Sequence, residues 1–236
     1  MKKIVCKAVF YMFLWNSCLA KDLLLYSVPL NQIPKSIVVC GGCKVIMVPL
    51  PAQGKGVIEV YGQKKALNML KSQLKIAQVL PAGLKVSFSP AKEGKREASF
   101  FTFSVWKSSY RRQGEGVPTL VVKMPFIHLQ KIVAREKAML AIQKGSDVAV
   151  DGWDIAMDGK ASLDFGKGRL DVGYLRLRLS GKSKLVLPQV KCKSLQADLI
   201  EKATCRLAGL ACSQPAEIHV KNATFYVSQK GKKGGL

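Results

Sequence analysis

Apolar and polar residues alternate along much of this chain, in short runs bounded by glycine, proline or small polar residues. Gly83-Leu84-Lys85-Val86-Ser87-Phe88 and Phe101-Thr102-Phe103-Ser104-Val105 alternate strictly, and Val57-Ile58-Glu59-Val60-Tyr61-Gly62 is a short run ending in a turn residue. A period of two predicts half-buried strands. Ser36-Ile37-Val38-Val39 and Lys44-Val45-Ile46-Met47-Val48 flank Gly41-Gly42, which predicts a hairpin. From Ala66 to Val79 the apolar positions Leu67, Leu70, Leu74 and Ile76 fit neither a helix nor a strand cleanly. Residues 90–96 and 107–112, rich in Lys and Arg, predict solvated loops.

From about Leu129 the chain repeats itself. Glu136-Lys137-Ala138-Met139-Leu140 returns as Gly159-Lys160-Ala161-Ser162-Leu163, Gly181-Lys182-Ser183-Lys184-Leu185, Glu201-Lys202-Ala203-Thr204-Cys205 and Lys221-Asn222-Ala223-Thr224-Phe225. The second residues, 137, 160, 182, 202 and 222, are spaced by 23, 22, 20 and 20. A second column runs through Val148, Leu170, Val190 and Leu210, and a third through Ile155, Leu175 and Leu195. Three short alternating strands per unit cannot bury their apolar rows alone. Units stacked about 4.8 Å apart can. The expected fold is all-β, with N-terminal antiparallel strands leading into a C-terminal parallel β-solenoid of three strands per coil of about 20 residues. Leu163, Leu185, Cys205 and Phe225 should lie inside on successive coils. A closed sandwich is the alternative, and it leaves three registered columns unexplained.

Composition changes the picture at the surface. Thirty-eight Lys and Arg against fifteen Asp and Glu give a formal charge of +23. Such an excess points to a polyanionic partner or surface. Lys2, Lys3 and Lys7 precede the apolar run Ala8–Trp15, and Asn16-Ser17-Cys18-Leu19-Ala20 offers small residues before Lys21. This pattern predicts a secretory signal peptide, with a lipoprotein acylated at Cys18 as the alternative. Cleavage removes three Lys and no acid, leaving 23 − 3 = +20. The expected organisation is a signal peptide at 1–20, an N-terminal β region at 21–128, solenoid repeats at 129–229 and a basic glycine-rich tail at 230–236. Export to the periplasm or outer surface of a Gram-negative bacterium is expected, with no transmembrane helix in the mature chain.

The units resemble the bacterial family of auto-transporter adhesin head GIN domains. The likeness rests on Leu120-Val121-Val122-Lys123-Met124-Pro125-Phe126-Ile127-His128-Leu129, similar to the family's strand followed by P-x-L. It rests also on the L-S-G-x-x-x-L-x-L unit at Leu179-Ser180-Gly181-Lys182-Ser183-Lys184-Leu185-Val186-Leu187, and on the early strands around Val38 and Val45. It covers about residues 35–228. Glu201 and Lys221 replace the family's glycine in the last two copies, and the chain is more basic than the family pattern. The resemblance implies a β-solenoid of the cell envelope, in which adhesin is a name more than an activity. The chain leaves no length for a translocator barrel, so autotransport is not expected.

Catalytic signatures are weak. Cys40-Gly41-Gly42-Cys43 lies between two strands, not at a helix N-terminus, and has no second C-x-x-C to complete a zinc site, so a hairpin turn, with or without a local disulfide, is expected there over a redox or metal site. Cys192 and Cys212 occupy one column on adjacent coils, close enough for a disulfide or for two small buried residues. Five cysteines remain after cleavage, so they cannot all pair within one chain. Asp147, Asp151, Asp154, Asp158, Asp164 and Asp171 cluster in sequence. Turn caps are the plain reading; a polysaccharide-acting site on Asp151, Asp154 and Asp158, or calcium binding, is the sharper one. His128 and His219 are too few and too far apart in sequence for a metal site. No catalytic residue, metal or cofactor is assigned.

The basic residues carry the remaining signal. Lys137, Lys160, Lys182 and Lys202 share one column and should stack as a ladder. Arg176, Arg178, Lys184, Lys191, Lys193 and Arg206 occupy outward positions beside it. The expected partner is an anionic glycan, lipopolysaccharide or a lipid surface, set against a merely solvated face or a purely structural periplasmic protein. Aromatic interleaving is too sparse for nucleic acid.

Overall fold

The computed structural model describes residues 23–30, 33–41, 44–62, 119–143 and 145–228, together with the strand paths of 74–79, 83–88 and 101–105. The expected signal peptide at 1–20, both basic loops, Cys43 and the basic tail at 230–236 lie outside the described residues. The strands in the first half are β1 (Leu23–Pro29), β2 (Ser36–Gly41), β3 (Lys44–Leu50), β4 (Val57–Gly62), β5 (Leu74–Val79), β6 (Gly83–Phe88), β7 (Phe101–Val105) and β8 (Thr119–Pro125). Next come β9 (Lys131–Ala134), β10 (Met139–Ile142), β11 (Ser146–Met157), β12 (Ser162–Asp164) and β13 (Gly168–Leu179). The last are β14 (Lys184–Ile200), β15 (Thr204–Cys212), β16 (Glu217–Lys221) and β17 (Thr224–Val227).

These strands stack in three parallel columns. Column one runs β8, β3, β10, β12, then the first parts of β14 and β15, and ends at β17. Column two holds the first parts of β11 and β13, the middle of β14 and the second part of β15. Column three runs β7, β2, β9, the second parts of β11 and β13, the last part of β14, and β16. The long strands β11, β13 and β14 turn solenoid corners without losing their extended path. Antiparallel pairs occur in the first half: β1 with β4, β4 with β8, and β5 with β6. The all-β architecture with a parallel C-terminal solenoid is therefore as the alternation predicts.

Burial follows the alternation. In column one the inward row Leu120, Val45, Leu140, Leu163, Leu185, Cys205 is fully buried, and Phe225 closes it half-buried. At the first corner the inward row is made of small residues: Ala138, Ala161, Ser183 and Ala203 are all buried. An aromatic stack of Phe126, Trp153 and Phe165, with centroids 6.1 Å apart at each step, fills the interior. In the last coil the inward residues Ile218 and Val220 are 38% and 46% exposed, because no further coil covers them among the described residues.

Two readings of the sequence need correction. β2 and β3 do not form a hairpin: β2 pairs in parallel with β7 and β9, and β3 with β8 and β10. The link between them, residues 42–43, lies outside the described residues. The third column is offset by two, since Ile155 pairs with Leu177 and Leu175 with Trp153. The repeat shortens from 22 to 20 residues between Asp164 and Gln189: Ser162 pairs with Lys184, whereas Arg169 pairs with Gln189. The ambiguous stretch before Val79 ends in a strand, β5, paired with β6.

Candidate functional site

The Lys ladder forms at the corner between columns three and one. Each rung follows a residue in the left-handed backbone region: Glu136, Gly159, Gly181 and Glu201 have φ of 61°, 67°, 69° and 63°. At Gly181 an added Cβ would stand 2.7 Å from the Gly159 carbonyl oxygen, so coil-on-coil contact here needs glycine. The following amide reaches down one coil: Lys160 N–H donates to the Glu136 carbonyl, and Lys202 N–H donates to that of Gly181 at 2.9 Å. Lys137, Lys160, Lys182 and Lys202 are all exposed. Among the described residues none of their ammonium groups has a carboxylate within ion-pair distance. Like charges about 5 Å apart repel by roughly 1 kcal/mol in water, so the ladder favours an added anion.

The other predicted basic residues divide between faces. Lys184 continues the ladder onto column one, on the same outward face as Arg206. Arg176 and Arg178 lie on column three among carboxylates: Arg178 Nη2 is 2.6 Å from Asp154 Oδ2, and Arg178 is paired in register with Asp198. Lys191, on column two, sits 4.0 Å from Asp171. The cations without an ion-pair partner among the described residues therefore gather at the corner and on the adjoining part of column one. Arg176 and Arg178 belong to a charge-mixed face. The sequence hides this, because the neighbours of Arg176 and Arg178 depend on the two-residue offset. Tyr226, next to Arg206 in register and 56% exposed, was not singled out from the sequence. Its signal was the outward phase of Thr224-Phe225-Tyr226-Val227.

The acidic cluster does not converge. Asp147 Oδ1 accepts from Arg169 N–H at 2.9 Å, Asp158 Oδ1 from Glu136 N–H at 3.2 Å, and Asp164 Oδ1 from Gly166 N–H at 2.7 Å. Asp158 also lies 3.6 Å from Arg135. These are turn and inter-coil caps. Asp154 Oδ2 accepts from Arg178 Nη2 on the next coil, whereas Asp158 serves the Glu136 amide and Arg135 at the turn, so the two carboxylates are engaged with different partners. Asp151 faces solvent near the corner between columns two and three. Among the described residues no group of three metal-ligating side chains assembles.

Cys192 and Cys212 are neighbours in register, with Sγ atoms 2.7 Å apart. Burial, with the hydrogen bond to Cys212, pushes the Cys192 thiol up to about 12, and burial alone pushes Cys205 to about 12. Burial also raises Cys40, against the lowering by Arg135. Cys40, Cys192 and Cys205 thus lack the depressed pKa of an activated nucleophile.

No family model matches the chain, and no curated protein matches it. The likeness to GIN head domains therefore has no matching family model behind it. Among solved structures, the chain is similar to a "putative lipid binding protein" from Parabacteroides distasonis at 9% identity. That alignment covers 86% of this chain and 96% of the other, with a TM-score of 0.49. It is also similar to a "putative adhesin" from the same species, at 11% identity over 85% and 95% of the two chains, TM-score 0.43. A "putative adhesin" from Parabacteroides merdae aligns at 10% identity over 86% and 95%, TM-score 0.42. At these identities and scores the similarity assigns no function.

Proposed function

We propose that this chain is an exported, non-catalytic envelope module that binds polyanions along the basic solenoid corner. The observation that carries the reading is the stack of Lys137, Lys160, Lys182 and Lys202, exposed and without carboxylate partners among the described residues. Lys184 widens that surface, whereas Arg176 and Arg178 contribute less because acids face them. The signal pattern at 1–20 and the order of elements resembling GIN head domains support an envelope setting. An oxidising compartment also favours a bond between Cys192 and Cys212. Protein purified from the envelope fraction would then begin at Lys21 and lose two hydrogens, both visible in its intact mass.

The test is affinity for heparin and for lipopolysaccharide at several salt concentrations. Anion binding by the ladder releases counterions, so affinity falls steeply with salt. Changing Lys160, Lys182 and Lys202 together to Gln should flatten that slope by about three charges and leave the circular dichroism spectrum unchanged. Equal slopes for parent and triple variant would make the ladder a solvated face and end the proposal.

A further inference from the structure

The register of column one builds a small grid at the C-terminal end of the ladder. Lys184, Thr204 and Thr224 stack in one outward row, and Val186, Arg206 and Tyr226 in the next. Lys182 and Lys202 stand at the corner two residues earlier, with Asn222 at the same register position on the last coil. The residues between these rows, Leu185, Cys205 and Phe225, point inward, which fixes the outward phase. Three coils by five residues give a footprint of about 10 by 13 Å, the size of a short oligosaccharide.

The chemistry of the grid is specific. It offers cations, two threonine hydroxyls, an amide and an exposed aromatic ring, and no carboxylate stands on it. The nearest acids are Glu201 at the corner and Asp164 one coil below Val186, with Asp164 Oδ1 taken by Gly166 N–H. A polyphosphate needs only the cations. A lipid surface needs cations beside a larger apolar patch. A sugar chain bearing carboxylates or sulfates uses all of it: cations for the acid groups, hydroxyls and amide for ring hydroxyls, and an aromatic face for ring C–H groups.

We infer that the ligand of this surface is an anionic glycan, held by Lys182, Lys184, Lys202 and Arg206 and stacked on Tyr226. The inference rests on the polyanion reading above and narrows it. Its test compares three probes on the full mature chain: a heparin-derived oligosaccharide, inorganic polyphosphate of matched charge, and anionic phosphatidylglycerol vesicles. Tyr226→Ala should weaken oligosaccharide binding about tenfold, the scale of one lost aromatic contact, and leave polyphosphate binding unchanged. Tyr226→Trp should restore it, which separates loss of the ring from loss of fold. If Tyr226→Ala leaves the oligosaccharide affinity unchanged, or lowers both affinities equally, the glycan assignment is overturned while the ladder reading can still stand. Tighter binding to vesicles than to the oligosaccharide, indifferent to Tyr226, would overturn it in favour of a lipid surface. A triple Lys variant with parental salt dependence would instead remove the polyanion reading itself.

Discussion

Ser183 stands where the four other copies of the repeat have alanine. Ala138, Ala161 and Ala203 fill the same inward corner position, and Ser183 is equally buried, with an Oγ that has no hydrogen-bond partner among the described residues. A buried hydroxyl without a partner loses its hydration and gains nothing in return. Ser183→Ala should therefore raise stability by about 1 kcal/mol, read as a higher urea midpoint with an unchanged slope. A lower midpoint would mean that the hydroxyl is satisfied in solution. At this scale the sequence was informative, because the column Ala138, Ala161, Ser183, Ala203, Ala223 is visible without coordinates. What it could not give was the partner of any one charge. Arg178 meets Asp154 diagonally across coils, two residues beyond the register partner Arg176, and no repeat spacing encodes that diagonal.

Among elements, the inward and outward phases of β14 differ sharply in consequence. Leu185 is fully buried between Leu163 and Cys205, whereas Lys184 beside it is exposed. Leu185→Ala should cost about 3 kcal/mol, and Leu185→Asp should prevent folding, since a charge would enter an apolar interior without a partner. Lys184→Ala should stay within about 0.5 kcal/mol of the parent. Denaturant midpoints of the three variants check the phase; equal midpoints for Leu185→Asp and parent would reverse it. Alternation made this phase legible for β10 to β17. It failed for β2 and β3, because their partners β7, β8, β9 and β10 lie far along the chain and no local pattern encodes them. The aromatic part of the candidate surface is hidden in the sequence for a related reason: Tyr226 sits in the copy where Asn222 replaces lysine, so repeated charge does not mark it.

For the whole molecule, the unit of change is the coil. Deleting residues 182–201 removes 20 residues, joins Gly181 to Lys202 and keeps every inward position inward. That variant should fold with an unchanged strand signature in circular dichroism and one rung fewer on the ladder. Deleting 182–192 removes 11 residues and moves Gln196 and Asp198 into the places of Leu185 and Leu187. It should aggregate or remain unfolded, because it cuts through two flat stretches at once and puts polar residues in the inward row of column one, with no corner beside the cut to take up the odd residue. A folded, soluble product from the odd deletion would contradict the solenoid register.

The shortening between Asp164 and Gln189 has a wider meaning. Two residues vanish from one corner, and the columns above and below remain in step. Corners thus act as expansion joints: they absorb changes in chain length that the flat stretches between them could not tolerate. A gene encoding such a protein can drift at its corners and duplicate between them. Each duplication would lengthen the rod by one layer and copy its surface lettering intact, because a layer touches only the layers on either side.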